Sequence, residues 1–294
     1  MDARATAGLR PNGKNPPLGT LDWSPALQKR LAARIVCPRP VRSRILKSRM
    51  LSPTATAVYA GLGAVACAGL AVGAFAYASL WPSSRIFGEA LIAPARPDEL
   101  ALTFDDGPNA TWTPRLLEVL ARHEVRATFF LLGSRAEAQP ELVRRIAAAG
   151  HLIGNHSWSH PNLSRSSSSR IREELQRTQE TLEQRTGAPV RYFRPPFGAR
   201  RPAVFRIARE MGLTPVLWNV MTSDWSEPSA ERIAKHVTKA IKGQRRRGRA
   251  ANIVLHDGGH RDPNANREPS VTAAGMLIER YKATHRFVTV DAWS

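Results

Sequence analysis

Two adjacent carboxylates, Asp105 and Asp106, end an apolar run, Leu100-Ala101-Leu102-Thr103-Phe104, and are followed at once by Gly107-Pro108. The run reads as a short buried strand, and Gly-Pro turns the chain out of it. The acids therefore stand at the C-terminal end of a strand, where α/β folds carry their chemistry. Two like charges side by side are costly unless a cation or a proton separates their roles. A second cluster, Gly154-Asn155-His156-Ser157-Trp158-Ser159-His160, also follows a short apolar run and closes on Pro161. Imidazoles four residues apart share one face of a helical turn, and neutral imidazoles are good ligands for zinc-like cations. Joined to one Asp they make a two-His, one-carboxylate set with open positions, a pattern of catalytic metal sites.

Three further segments carry polar groups at the ends of apolar runs. In Arg194-Pro195-Pro196-Phe197-Gly198 the prolines stiffen the loop; the guanidinium suits a carboxylate, and a fixed backbone N–H can face a substrate. Asp224-Trp225 comes soon after the run ending at Trp218, and Ile253-Val254-Leu255 leads into His256-Asp257-Gly258-Gly259. Each has an ordinary explanation alone: a rigid turn, a surface Asp beside a packed Trp, a strand-end imidazole. Five strand ends in series bearing Asp-Asp, His/His, Arg, Asp and His are hard to explain by packing.

The elements that must position them follow from periodicity. Strands are predicted over Leu100–Phe104, Ala127–Leu132, Leu152–Gly154, Tyr192–Arg194, Thr214–Trp218, Ile253–Leu255 and Phe287–Val290. Helices are predicted over Thr113–His123, Pro140–Ala149, Ser167–Thr186, Pro202–Met211, Ala230–Lys242 and Ser270–Ala283, with Pro114 near a start and Gly150, Gly187 and Gly212 at ends. About seven βα units imply a parallel sheet, barrel or doubly wound.

The N-terminal third is different. Of a net charge of +19, about half lies in residues 1–50, where eleven Lys and Arg face two Asp. Residues 1–54 read as a mostly disordered basic tail, with a turn or two of helix over Ala26–Ile35. Residues 55–81 carry no charge, exceed the length needed to span a bilayer, and place Tyr59, Tyr77 and Trp81 near their ends. The basic flank puts the tail in the cytoplasm and the rest outside. The alternative is a cleaved signal peptide, with Ala76-Tyr77-Ala78 as the cleavage site before Ser79, a reading favoured if translation starts at Met50. Residues 82–96 read as a linker. Nucleic-acid binding would also use the charge, but a membrane flank already accounts for the N-terminal half, and no specific nucleic-acid partner is expected. Lys242–Arg249 reads as a solvated basic loop. The two cysteines, Cys37 and Cys67, leave the main domain without a disulfide or a thiolate metal site.

The ordered set TFDDGP, HSWSH, RPPFG, DW and LHD, with Ala-Thr-Phe-Phe-Leu-Leu-Gly at 127–133, resembles the polysaccharide deacetylases with a NodB-type homology domain, the fourth carbohydrate esterase family. The resemblance covers roughly residues 97–292 and implies a catalytic domain over 97–294 folded as a distorted (β/α)7-type barrel. It implies that Asp106, His156 and His160 hold a divalent metal, most often zinc, and that Asp105 is the base, oriented by Arg194. It makes His256 the acid, steadied by Asp224, and gives the Phe197 N–H to the oxyanion. Pro196, Trp225 and Leu255 would wall the acetyl pocket. The implied reaction is removal of N-linked acetyl groups from N-acetylglucosamine-type units of an envelope or exported polysaccharide. An O-acetyl esterase acting on a polymer such as xylan is the alternative, and a silent polysaccharide-binding module a more distant one. Two departures stand out. Met221 occupies a position where many relatives carry an Asp, which touches the substrate assignment more than the catalytic groups. Phe197 stands where Tyr is also common, which a backbone role tolerates.

Overall fold

The computed structural model describes residues 53–294. The expected basic tail up to residue 52, with the Ala26–Ile35 turn, Cys37 and Met50, lies outside the described residues. Residues 59–294 form one compact unit, and the contacts reported below lie within it. Helix α1 covers Pro53–Leu80. Its Gly61–Leu80 stretch has a mean hydropathy of 1.7 and is 6% buried. An exposed apolar helix of this length meets the requirement for crossing a bilayer, a test that a signal sequence also passes.

Eight parallel strands follow: β1 (Glu99–Asp105), β2 (Thr128–Leu131), β3 (Leu152–Asn155), β4 (Tyr192–Phe193), β5 (Thr214–Pro215), β6 (Val220–Met221), β7 (Ala251–His256) and β8 (Arg286–Phe287). The order is β5-β4-β3-β2-β1-β7-β6, with β8 on the first residues of β1. No ladder joins β5 to β6 among the described residues, so the sheet curls into a barrel that does not close, in keeping with a distorted (β/α)7 barrel. Every residue of β1 is buried, as expected of a parallel strand covered on both faces. Leu100, Leu102 and Phe104 join the large core under the helices. Ala101 faces inward with Phe130, Tyr192, Val216, Val288 and Val290. Side chains alternate along a strand, so Thr103 and Asp105 continue that inner face toward the barrel mouth.

The helices form where apolar residues recur at helical spacing. Helix α2 (Trp112–Arg122) buries Thr113, Leu116, Leu117 and Leu120, and α7 (Ala230–Arg246) buries Ala230, Ile233, Ala234, Val237 and Ile241. Between them lie α3 (Gly133–Ala138), α4 (Pro140–Ala148), α5 (Ser168–Thr186) and α6 (Pro202–Glu210), and α8 (Glu268–Tyr281) follows β7. The Ser167 and Ser229 hydroxyls cap α5 and α7 by accepting from the third residue beyond, and Gly187 ends α5 in the left-handed region. The expected strand Thr214–Trp218 stops at Pro215; Val216 and Leu217 turn to pair with Leu91 instead. The last strand starts one residue early, and Val290 begins a 3-10 turn rather than ending the strand. Helix α3 and strand β6 are additions; both are too short to show a period.

Candidate active site

Register places the chemistry. Asp105, the last residue of β1, pairs in register with His256 of β7 on one side and Phe130 of β2 on the other. Arg194, just past β4, is fully buried. Its Nη1 donates to Asp105 Oδ1 (2.8 Å) and Thr103 Oγ1 (2.7 Å), and its Nη2 to Asn252 Oδ1 (3.3 Å). Its guanidinium carbon lies 4.1 Å from the centre of the Phe130 ring. Burial lowers the Arg194 pKa from its ordinary value and the Asp105 carboxylate opposes the shift; a guanidinium stays charged regardless. A fixed ion pair is thus built on the inner face of the barrel.

The Arg194 carbonyl lies 2.8 Å from His156 Nδ1. A carbonyl only accepts, so Nδ1 carries the proton and Nε2 offers its lone pair. That Nε2 is 3.5 Å from Asp106 Oδ1, and His160 Nε2 is 3.3 Å from the same oxygen. The three ligand atoms all lie within 4.8 Å of one another. Asp106 Oδ1 is buried with no hydrogen-bond partner. An unpaired buried carboxylate oxygen is costly, and a cation among these donors removes the cost; the donor set suits a divalent metal. Burial pushes the His160 imidazole down to about 3, helped by His156 and opposed by Asp106, so it is a neutral, ligand-ready ring. Burial also pushes Asp106 up, yet His156, His260, His160 and His256 together hold it well below the usual carboxylate range. The turns are tight. Asp106 and His160 adopt φ of 70° and 60°, and a Cβ at Gly258 would sit 2.1 Å from the Asp106 carbonyl oxygen, so only glycine passes there.

Across the cleft, Asp224 is buried and holds His256 twice. Its Oδ1 is 2.9 Å from Nδ1, and its Oδ2 accepts from the His256 backbone N–H at 2.8 Å and from Ser270 Oγ at 2.7 Å. Burial pushes His256 down, but the Asp224 carboxylate overrides it, with smaller contributions from Asp106 and Asp105, and raises it to about 9. Trp225 stands edge-on to this imidazole at 5.4 Å. Phe197, at φ 58° in the Pro196–Gly198 turn, packs its ring against His160 at 4.5 Å. These groups open on one cleft of about 660 Å³, also lined by Trp218, Met221 and Val254, within the size range of ligand sites.

Residues 93–216 match the family model described as "Polysaccharide deacetylase". A peptidoglycan-N-acetylglucosamine deacetylase of Bacillus cereus is 38% identical over 208 residues, 70% of this chain and 72% of the relative. The chain belongs to the polysaccharide deacetylase family. A chitooligosaccharide deacetylase of Bradyrhizobium is 39% identical over 160 residues, 53% of this chain and 69% of that one. The crystal structure of the Bc1960 peptidoglycan N-acetylglucosamine deacetylase superposes with a TM-score of 0.60 at 36% identity, covering 69% of this chain and 91% of its own. The protein is a polysaccharide deacetylase, a hydrolase, and its Asp106–His156–His160 set is one that could bind the metal such deacetylases use.

Of the residues expected in this deacetylase site, Asp105, Asp106, His156, His160, Phe197, Trp225 and His256 line one cleft, and Arg194 and Asp224 sit directly behind two of them. Leu255 does not line it. It is fully buried in the large core, because strand alternation turns it away from the face that shows Val254 and His256. Pro196 is likewise buried outside the cleft lining. Several functional neighbours escaped the sequence reading. His260 stacks on His160 at 4.1 Å, with Nδ1 3.4 Å from Asp106 Oδ2; a second imidazole four residues after His256 was the available signal. Asp257 is buried beneath Gly107, accepts from Thr113 Oγ1, and is pushed by burial up to about 7. Glu174 of α5 accepts from the Trp158 and Ser159 amides at 2.7 and 2.8 Å and so sets the loop between His156 and His160. Nothing in the surrounding helix pattern marks it.

Proposed function

We propose that this deacetylase hydrolyses the N-acetyl group of N-acetylglucosamine units in a cell-envelope glycan, with a zinc-like divalent ion held by Asp106, His156 and His160. The observation that carries the reading is the buried, unpartnered Asp106 Oδ1 facing two imidazole Nε2 atoms, with a carboxylate–arginine pair on one side and a carboxylate–imidazole pair on the other. Such an ion supplies Lewis acidity toward the amide carbonyl and the attacking water.

The chain's own groups divide the remaining work. Asp105 accepts the proton of the water as its oxygen bonds to the acyl carbon. Arg194 holds that carboxylate by Oδ1 and leaves Oδ2 on the His156 side of the site. The Phe197 N–H donates to the oxyanion, a contribution typically of roughly 3–4 kcal/mol. An amine leaves poorly unless protonated, and His256, charged through Asp224, gives its proton to the nitrogen as the C–N bond breaks. The products are acetate and a free amino sugar. An alcohol leaving group needs less protonation, so the strongly built His256–Asp224 pair favours amides over esters. The relatives named above act, by their names, on peptidoglycan or chitooligosaccharide, which supports the same substrate class here. Helix α1, exposed and apolar, supports a single membrane anchor with the catalytic part outside the cytoplasm.

The test is acetate release from peptidoglycan and chitooligosaccharides by the full-length protein. Activity abolished by a chelator and restored by zinc is the expected result, and a protein that binds no divalent ion after reconstitution ends the reading.

A further inference from the structure

The cleft has a wall that the matched deacetylase region does not supply. Leu80, Trp81 and Pro82 line it, whereas the family model begins at residue 93. These residues are held in place by Arg200. Its side chain is fully buried and faces no carboxylate within ion-pair distance among the described residues. Nη1 donates to the carbonyls of Ser79 (3.3 Å) and Gly198 (3.1 Å), and Nη2 to those of Trp81 (2.5 Å) and Ser84 (3.1 Å). The Arg200 backbone N–H also donates to the Ser79 carbonyl at 3.0 Å. A cation at the carbonyl end of a helix is well placed, so Arg200 caps α1 and ties its end to the turn that carries Phe197. Leu80 and Trp81, the last residues of the stretch expected to span a membrane, and Pro82, the first of the expected linker, are thus part of the cleft wall.

Trp81 is the consequential residue. It is 58% exposed, stacks on Tyr77 at 6.2 Å with an interplanar angle of 21°, and shares the cleft with Phe197 and Trp225. Aromatic planes on the rim of a cleft suit the apolar C–H face of a sugar ring. We infer that Trp81, positioned by Arg200, forms a subsite for the pyranose ring neighbouring the one deacetylated, so that the segment ending α1 reads polymer length. This rests on the proposed N-acetylglucosamine substrate.

The test uses full-length protein in detergent and chitooligosaccharides of two and six units, reading both binding by calorimetry and acetate release. Wild type should favour the longer oligomer. Trp81→Ala should shrink that preference roughly tenfold, through KM rather than kcat, and Trp81→Phe, which keeps an aromatic face, should retain most of it. Ile86→Ser, an exposed position in the same segment and outside the cleft, serves as a control with no change expected. An unchanged length preference in Trp81→Ala overturns the subsite, as does an equal loss on both oligomers. A wild type that binds the longer oligomer more tightly through Trp81 but releases no acetate keeps the subsite and overturns the proposed reaction. A wild type that binds neither overturns both.

Discussion

Arg194 and Arg200 lie six residues apart, both are fully buried, and they do different work. Arg194 faces a carboxylate, a hydroxyl and an amide oxygen at the barrel mouth. Among the described residues, the hydrogen-bond acceptors of Arg200 are main-chain carbonyls. The first places its charge against Asp105, the group proposed as the base. The second spends it on the shape of the chain around the site. A buried guanidinium is therefore not by itself a sign of chemistry; its partners decide. One short stretch, 194–200, couples both functions to the Phe197 turn between them.

The comparison predicts unequal losses. Arg194→Met strands the Asp105 carboxylate in the barrel, a change that costs about 3–5 kcal/mol when one partner of a buried pair is removed. Activity should fall by roughly 10²–10⁴-fold, the usual share of a general base, with bound metal retained. Asp105→Asn should lose turnover to the same degree and also lower the melting temperature, because it leaves the Arg194 guanidinium buried without its counter-charge. Metal analysis, thermal melts and acetate release together check this pair; loss of the metal in Asp105→Asn would move Asp105 into the ligand set. Arg200→Met leaves several carbonyls unpaired, and unmade buried hydrogen bonds cost about 1–3 kcal/mol each, less than additively. The melting temperature should fall, and kcat on the two-unit oligomer should change less than the preference for six units over two. A kcat loss equal to that of Arg194→Met would erase the distinction between the two arginines.

The same contrast explains what was legible in the sequence. Asp105, Asp106, His156, His160, Arg194, Asp224 and His256 were readable because strand-end chemistry leaves uncommon residue types beside Gly and Pro. Periodicity left barrel and doubly wound sheet open, and the five segments in a fixed order carried the family resemblance that implied the barrel. Arg200 was not readable. Its partners are carbonyls of residues 79, 81, 84 and 198, and a carbonyl has no sequence signature. The family resemblance put Leu255 at the pocket, whereas alternation along β7, with His256 at the cleft, turns Leu255 into the core. The 3-10 turn at Val290 and the early stop of β5 depend on neighbours distant in the chain, Thr128 and Leu91.

The proposed acid gives a pH signature. His256 is raised to about 9, first against the pull of burial and then by Asp224, so it is protonated at neutral pH. Activity should decline as pH rises through about 9. The stability it contributes is fully present below the ordinary value of 6.5 and is lost between there and about 9. Asp224→Asn removes the carboxylate that holds the proton, and the alkaline limb should move down toward 6.5. At pH 8 the variant should be slower by at least tenfold, and at pH 6 the gap should narrow. A limb that stays in place, measured as kcat across pH 5–10, would assign it to another group.

The smallest effect comes from exchanging each arginine for lysine, and it divides them most sharply. Lys offers three donors from one point, Arg a planar fork. At 194 the fork reaches Asp105, Thr103 and Asn252 in fixed directions, and a point charge cannot hold the carboxylate and the amide oxygen together. Arg194→Lys should retain stability better than Arg194→Met yet stay well below wild-type turnover. At 200 the acceptors are carbonyls gathered at a helix end, and an ammonium satisfies several of them while keeping the charge that suits that end. Arg200→Lys should cost only about 1 kcal/mol in a thermal melt and leave the chain-length preference near wild type. Equal penalties for lysine at both positions would mean that the fork geometry, rather than the charge, holds the end of α1 against the site.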